Sequence, residues 1–177
     1  MANILASYFR DANRIPITTD GIISQTTQTL TGNNATVVTA LFHVIGTVEI
    51  RGIWGVVTTL LGANHTTAFY RLNDQTAQVS ITLNTGTTLS GAAAGSIIVK
   101  NGLVGAAVTL INNSAGRINE PTTLETMFFS PFVAVKKTAA TTDIEYSYAT
   151  TDTPTSGAIQ HFVRWLPLSA DGSVNAI

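Results

Sequence analysis

Short runs in which β-branched or aromatic side chains alternate with polar ones, broken by turn-forming sequences, restrict this chain to sheet. Val44, Gly46, Val48 and Ile50 fall on one face of such a run, with Ile45, Thr47 and Glu49 on the other. Ile144, Tyr146 and Tyr148 alternate with Asp143, Glu145 and Ser147, and Val79, Ile81 and Leu83 with Ser80, Thr82 and Asn84. Phe128–Val135 and Ile159–Leu166 read as strands dense in aromatic and β-branched residues. Ile22–Leu30, Trp54–Leu61, Ala68–Leu72, Ile97–Lys100 and Ala107–Ile111 are shorter strands. No segment sustains an apolar stripe at i, i+3, i+4 and i+7 over three turns, so helix is limited to a short turn within Leu124–Phe129.

Turn chemistry separates the strands: Thr31-Gly32-Asn33-Asn34, Asn73-Asp74, Asn84-Thr85-Gly86, Asn112-Asn113-Ser114 and Asp171-Gly172. Asn101-Gly102 is the sharpest hairpin signal, because a type I′ turn needs positive φ at both central residues. Eight to ten short strands in one domain imply a sandwich or barrel. The fold expected is all-β, a β-sandwich of jelly-roll type, since the strand number suits two four-stranded sheets. The immunoglobulin-like sandwich is second, without its Cys–Trp–Cys marker, and no internal repeat points to a propeller or solenoid.

Residues 1–21 differ in character from the rest of the chain. Tyr8-Phe9-Arg10-Asp11-Ala12-Asn13-Arg14 is the most charged stretch, and it runs into Ile15-Pro16-Ile17 and the turn Asp20-Gly21. Pro16 pushes Ile15 toward an extended conformation. The segment reads as an N-terminal arm lying across its own sheet or reaching a neighbour, with 22–177 as a single sandwich domain.

Charged residues are 11% of the chain against about 25% in an ordinary globular protein, while hydrophobic residues are 45%. Thr, Asn and Gly take the place of the missing charge. A free monomer keeps soluble with a charged surface, so a net charge of −1 with few charges of either sign points to a surface covered by partners. The same balance speaks against nucleic acid, which needs a basic stripe; Lys136-Lys137 is a solvated strand end. The absence of Cys removes disulfides, thiolate nucleophiles and Cys-based zinc sites. The start, Met1-Ala2-Asn3-Ile4-Leu5, does not read as a signal peptide, and the apolar stretches Val37–Leu61 and Ala92–Ile111 are broken by polar and charged residues. A protein without a membrane span, made in a cytoplasm, is expected.

Chemistry is scarce. His43, His65 and His161 have no second ligand at metal spacing; His43 reads as a core or interface residue and His65 as exposed in a turn. No Gly-x-Ser-x-Gly or paired-carboxylate pattern occurs, and Gly91-Ala92-Ala93-Ala94-Gly95-Ser96 lacks the Lys-Ser/Thr of a phosphate loop; its small residues permit close backbone approach or a loop that orders on a partner. No catalytic residue, metal or cofactor is therefore expected. Asn34, Asn64 and Asn112 match the glycosylation pattern, which a Thr-rich chain produces by chance. Tyr146 and Tyr148 on one strand, and Phe162, Arg164 and Trp165 on another, are residue types that anchor protein interfaces or sugar platforms, and that a sandwich also uses for its core.

Phe9-Arg10-Asp11-Ala12-Asn13-Arg14-Ile15-Pro16-Ile17 resembles the openings of small virion structural proteins of tailed bacteriophages. His161-Phe162-Val163-Arg164-Trp165-Leu166-Pro167-Leu168-Ser169 with Asp171-Gly172 resembles their final strand and tail. The resemblance implies a capsid decoration (cement) protein: a homo-oligomer, trimer favoured, bound to a major capsid protein in the virion, without catalytic residues. The partner-binding residues expected are Tyr8, Phe9, Arg10 and Arg14 in the arm, with Arg164 and Trp165 near the C-terminus. The rival is a carbohydrate- or receptor-binding sandwich of a tail or fibre.

Overall fold

The computed structural model describes residues 21–31, 35–62, 65–82, 89–100, 108–111, 131–137, 140–150 and 156–177. Residues 1–20, which hold Tyr8, Phe9, Arg10 and Arg14, lie outside the described residues, as do Asn34, Asn64 and Asn112.

The strands are β1 (Ile22–Thr29), β2 (Thr36–Ile45), β3 (Thr47–Thr59), β4 (Thr66–Asn73), β5 (Gln78–Ser80), β6 (Ile97–Lys100), β7 (Val108–Ile111), β8 (Phe132–Val135), β9 (Thr142–Ala149), β10 (Ala158–Pro167) and β11 (Ser173–Ala176). They form two antiparallel sheets. One has the order β1-β10-β3-β6-β7, with β8 pairing β3 beyond β6, and the other runs β11-β2-β9-β4-β5. The pairs β1·β10, β2·β9, β3·β6 and β4·β5 are nested, and their members alternate between the sheets in the order of a jelly roll. The chain is thus all-β and sandwich-like, as its periodicity requires, and no helix occurs among the described residues.

Between the sheets lies one apolar core that includes Phe42, Val48, Ile50, Ile53, Ile98, Ile144 and Val163. Each large side chain buried there contributes about 1.5–3 kcal/mol of transfer free energy. The alternation in β10 is regular: Ile159, His161, Val163 and Trp165 are buried, while Gln160, Phe162, Arg164 and Leu166 point outward and are partly exposed.

Several local expectations are corrected. Val44–Ile50 is not one strand: the chain turns at Gly46, φ +60°, and passes from one sheet to the other. Its parity survives the corner because both sheets face the same core, where Val44, Val48 and Ile50 all end. Val79 and Ile81 do not share a face, since β5 stops at Ser80 and the amides of Ile81 and Thr82 both donate to the Tyr70 carbonyl. Val79 is left exposed and Ile81 buried. The Asn101-Gly102 turn lies outside the described residues; the register of β6 with β7 sets Lys100 opposite Val108. In addition, β11 and the first half of β2 were not legible as strands, because Thr36–Ala40 and Ser173–Ala176 carry too little periodic apolar signal.

At the flank where β1 and β11 face one another, side chains close the sandwich. Trp165 Nε1 donates to Ser24 Oγ at 3.0 Å, and Ser24 donates to the Val174 carbonyl at 2.5 Å. Thr26 donates to the Ile177 carbonyl at 3.3 Å. Hydroxyls of β1 thereby occupy carbonyls on the open edge of β11, which blunts an edge that could otherwise recruit a strand.

Candidate interaction face

The two outer faces of the sandwich have opposite chemistry. On the five-stranded sheet, register brings His43, Asp143 and Asn73 into one row and Ala40, Glu145 and Arg71 into the next. Arg71 Nε donates to Glu145 Oε2 at 2.6 Å, and Asn73 Nδ2 donates to Glu145 Oε1 at 2.8 Å. His43 Nδ1 is hydrogen-bonded to Asp143 Oδ1, and Gln75 Nε2 donates to Asp143 Oδ2 at 3.3 Å. His43 is therefore not a core residue; it stands half-exposed on this outer face. The carboxylates of Asp143 and Glu145 are nearly buried under their partners, and Lys137 reaches Asp74 Oδ2 at 3.3 Å across the β4–β5 turn. This face is internally satisfied. Asp74 itself is held well below the usual carboxylate range, first by the Ala77 and then by the Thr76 backbone N–H, which close an Asx turn.

On the six-stranded sheet, Phe162 of β10 lies opposite Trp54 of β3 and Gln25 of β1. The Trp54 and Phe162 rings stack with centroids 5.3 Å apart and planes 7° off parallel. The Arg164 guanidinium carbon is 5.8 Å from the Trp54 ring, within cation–π range. Gly52 makes room for the indole: a Cβ there would sit 3.3 Å from Trp54 Cζ3 and 3.6 Å from Arg164 Cβ. Ile23, 50% exposed, lies opposite Arg164 beside this centre, and Val133 and Val135, each 57% exposed, lie opposite Glu49 and Thr47 toward the other end of β3. Glu49 and Arg51 pair with each other at 2.8 Å near the β8 end, while Gln25, Thr27 and Gln160 are uncharged.

Arg164 and Trp165, adjacent in sequence, are sent to opposite sides. Arg164 joins the outer aromatic centre, and Trp165 is buried in the core at 6% exposure, where its N–H serves the edge closure. Trp54, the half-buried partner of Phe162, was visible in sequence only as a strand residue. Its pairing is fixed by the β3–β10 register, which no local pattern encodes.

A second polar cluster is sealed inside. His161 Nε2–H donates to Gln28 Oε1 at 3.0 Å, so Nδ1 accepts from the Tyr70 hydroxyl, also at 3.0 Å. Gln28 Nε2 donates onward to Thr39 Oγ1 at 2.7 Å, linking the two sheets. His65 stacks on Tyr148 with centroids 4.7 Å apart, and its Nε2 shares a hydrogen bond of 3.0 Å with the Tyr146 hydroxyl. The expectation of an exposed His65 is overturned: its side chain is buried, with the His65 amide donating to Ser90 Oγ and the Leu89 amide donating to the His65 carbonyl. Burial pushes His65 down to about 4 and His161 to about 3, with the neighbouring His65 adding to the latter, and raises Tyr70 and Tyr146 well above the ordinary phenol range. These groups are shut away from solvent and hold the sheets together.

The Gly91–Ser96 segment runs beside the end of β3, with Gly95 N–H donating to the Val57 carbonyl and Val57 N–H to the Ser96 carbonyl. Its small residues allow this close backbone approach. Among the described residues no group of three His, Asp or Glu is arranged to hold a metal ion. No helix among them is long and apolar enough to cross a membrane. The chain matches no family model, no curated protein and no solved structure.

Proposed function

We propose that this chain is a structural subunit of a protein shell, of the capsid decoration kind, that acts by burying the outer face of its six-stranded sheet against other subunits. The observation that carries the reading is the contrast between the faces. One sheet pairs its charges with one another, whereas the other leaves Trp54, Phe162, Ile23, Val133 and Val135 facing outward in a chain with little charge to keep such a surface apart. A jelly roll serves viral shells and lectins alike, so the fold leaves the choice to the surface. The resemblance of both ends of the chain to phage virion proteins directs it to a shell, with the virion as location.

The mechanism is repetition of modest contacts. A specific interface buries roughly 1,200–2,000 Å² in total. On a lattice each contact recurs, and avidity makes the sum tight without any single strong one. In this reading Tyr8, Phe9, Arg10 and Arg14 extend the contact to a neighbour. Co-sedimentation with shells assembled from the major capsid protein of the same genome tests it. The full chain is expected to bind at a saturable number per shell, and a chain lacking residues 1–17 at least tenfold more weakly. Unchanged binding by the shortened chain removes the arm from the mechanism; no binding by the full chain overturns the decoration role.

The stacked Trp54–Phe162 pair with Arg164, Gln25 and Gln160 beside it supports a second reading as a sugar-binding platform. A glycan array answers it. A glycan that alters Trp54 fluorescence and is lost in Trp54→Ala selects that reading over the shell.

A further inference from the structure

We infer that the partner on the outer face of the six-stranded sheet is a second copy of this chain, docked face to face on the Trp54–Phe162 centre. The inference rests on the assembly reading above and names the occupant.

Size is the first argument. β1, β10 and β3 are 8, 10 and 13 residues long and β6, β7 and β8 are 4 each, so at about 4.8 Å by about 3.3 Å per residue the face is roughly 700 Å². A stable contact needs roughly 800 Å² per partner. A small ligand or a single strand would leave much of this surface wet, whereas a second sheet of the same size, packed about 10 Å away, covers it.

Charge placement is the second. On the described part of the face, Glu49 and Arg51 lie toward one end of β3, while Arg164 lies beside the aromatic centre, over the Trp54 ring. The centre and the opposite end carry Trp54, Phe162, Gln25, Gln160, Thr27 and Val56, all uncharged. A two-fold axis near the aromatic pair sets each copy's charged end beyond the other's uncharged end. The Glu49–Arg51 pairs then stay apart at the rim, and the centre of the contact is aromatic, with each Arg164 held over its own Trp54 ring. The Glu49–Arg51 pair, already satisfied at 2.8 Å, asks for no new partner.

The five-stranded face offers no such contact, because its ionic rows would have to be broken or desolvated to be covered.

The test uses the full chain. Light scattering over a hundredfold range of concentration is expected to give a mass that rises from the 18.6 kDa of one chain to a multiple of it. Ile23→Lys combined with Val133→Lys introduces charge at two positions at least half exposed in the single chain, so folding is undisturbed; an unchanged melting temperature checks this. That variant is expected to weaken self-association at least tenfold and to raise acrylamide quenching of Trp54, while the buried Trp165 stays protected. Val38→Lys, on the outer face of the other sheet, is expected to leave the mass unchanged. Retention of the wild-type mass by the double variant overturns the inference and leaves assembly to another surface. A wild-type chain that is monomeric throughout also overturns it, and shell co-sedimentation then decides the assembly reading separately. Dissociation by Val38→Lys overturns the assignment of the face.

Discussion

His161 is fixed as a neutral imidazole by what surrounds it. One nitrogen donates to an amide oxygen and the other accepts from a phenol, and a second proton would place an unsolvated charge in the core. Its folded pKa, about 3, and that of His65, about 4, both lie below the 6.5 of an unfolded histidine. The stability these residues allow is therefore complete above pH 6.5. It is lost as pH falls toward 4, where the unfolded chain takes up protons and the native chain does not. Each histidine contributes a slope of about 1.4 kcal/mol per pH unit across that window. Urea unfolding at pH 7.5 and pH 5 is expected to show this loss. In His161→Phe the pH slope from the pair is expected to fall by about half, with a cost of about 2–4 kcal/mol at pH 7.5 from the unpaired Gln28 and Tyr70 groups. A wild-type midpoint that does not move between those pH values contradicts the sealed cluster.

At the scale of elements, the corner between β2 and β3 and the edge beside β1 set the shape of the sandwich. Gly46 turns the chain at φ +60°, and a Cβ there would lie 2.5 Å from both Asp171 Oδ1 and Ser169 Oγ. Ser169 Oγ accepts the Thr47 N–H at 2.8 Å and donates to Asp171 at 2.7 Å, so the tail braces the corner. Gly46→Ala is expected to cost about 2–4 kcal/mol, combining left-handed strain with displacement of that brace. The measurement is a lowered urea midpoint at unchanged slope. At the edge, Ser24→Ala strands both the Trp165 N–H and the Val174 carbonyl, and a loss of about 1–3 kcal/mol is expected in the same experiment. A neutral result there would mean that water replaces the hydroxyl and that the closure is not structural.

For the molecule as a whole, nesting dictates how it forms. β1 pairs with β10 and β11 is tied to β1 by Ser24, partners separated by almost the full domain. Loop closure on that scale must precede the contacts that reward it, so refolding is expected to take milliseconds to seconds or longer. Stopped-flow recovery of Trp165 fluorescence measures this, and complete recovery within the mixing dead time contradicts a nested topology. The finished sandwich then carries its difference of faces, one ionic and closed on itself, the other centred on the stacked Trp54–Phe162 pair.

The period-2 pattern in Ile144–Tyr148 was enough to set Tyr146 and Tyr148 on one face, because alternation on a strand assigns faces without knowledge of neighbours, and the packed sheets make that face the core. Composition likewise marked a chain poor in charge and rich in β-branched and turn residues, as a sheet protein is. What sequence could not assign was which inward or outward residues would meet. Trp54 and Phe162 stand more than a hundred residues apart and become a stacked pair only through the β3–β10 register. His65 sits in a turn whose polar sequence signals exposure, yet tertiary packing against Tyr148 draws it into the core. Arg164 and Trp165 share every local feature except parity. The strand alone separates them, but only the sheet decides that one side is core and the other a surface. Local periodicity is a property of the backbone and is written residue by residue, whereas register is a property of pairs and exists only once the sheets have closed.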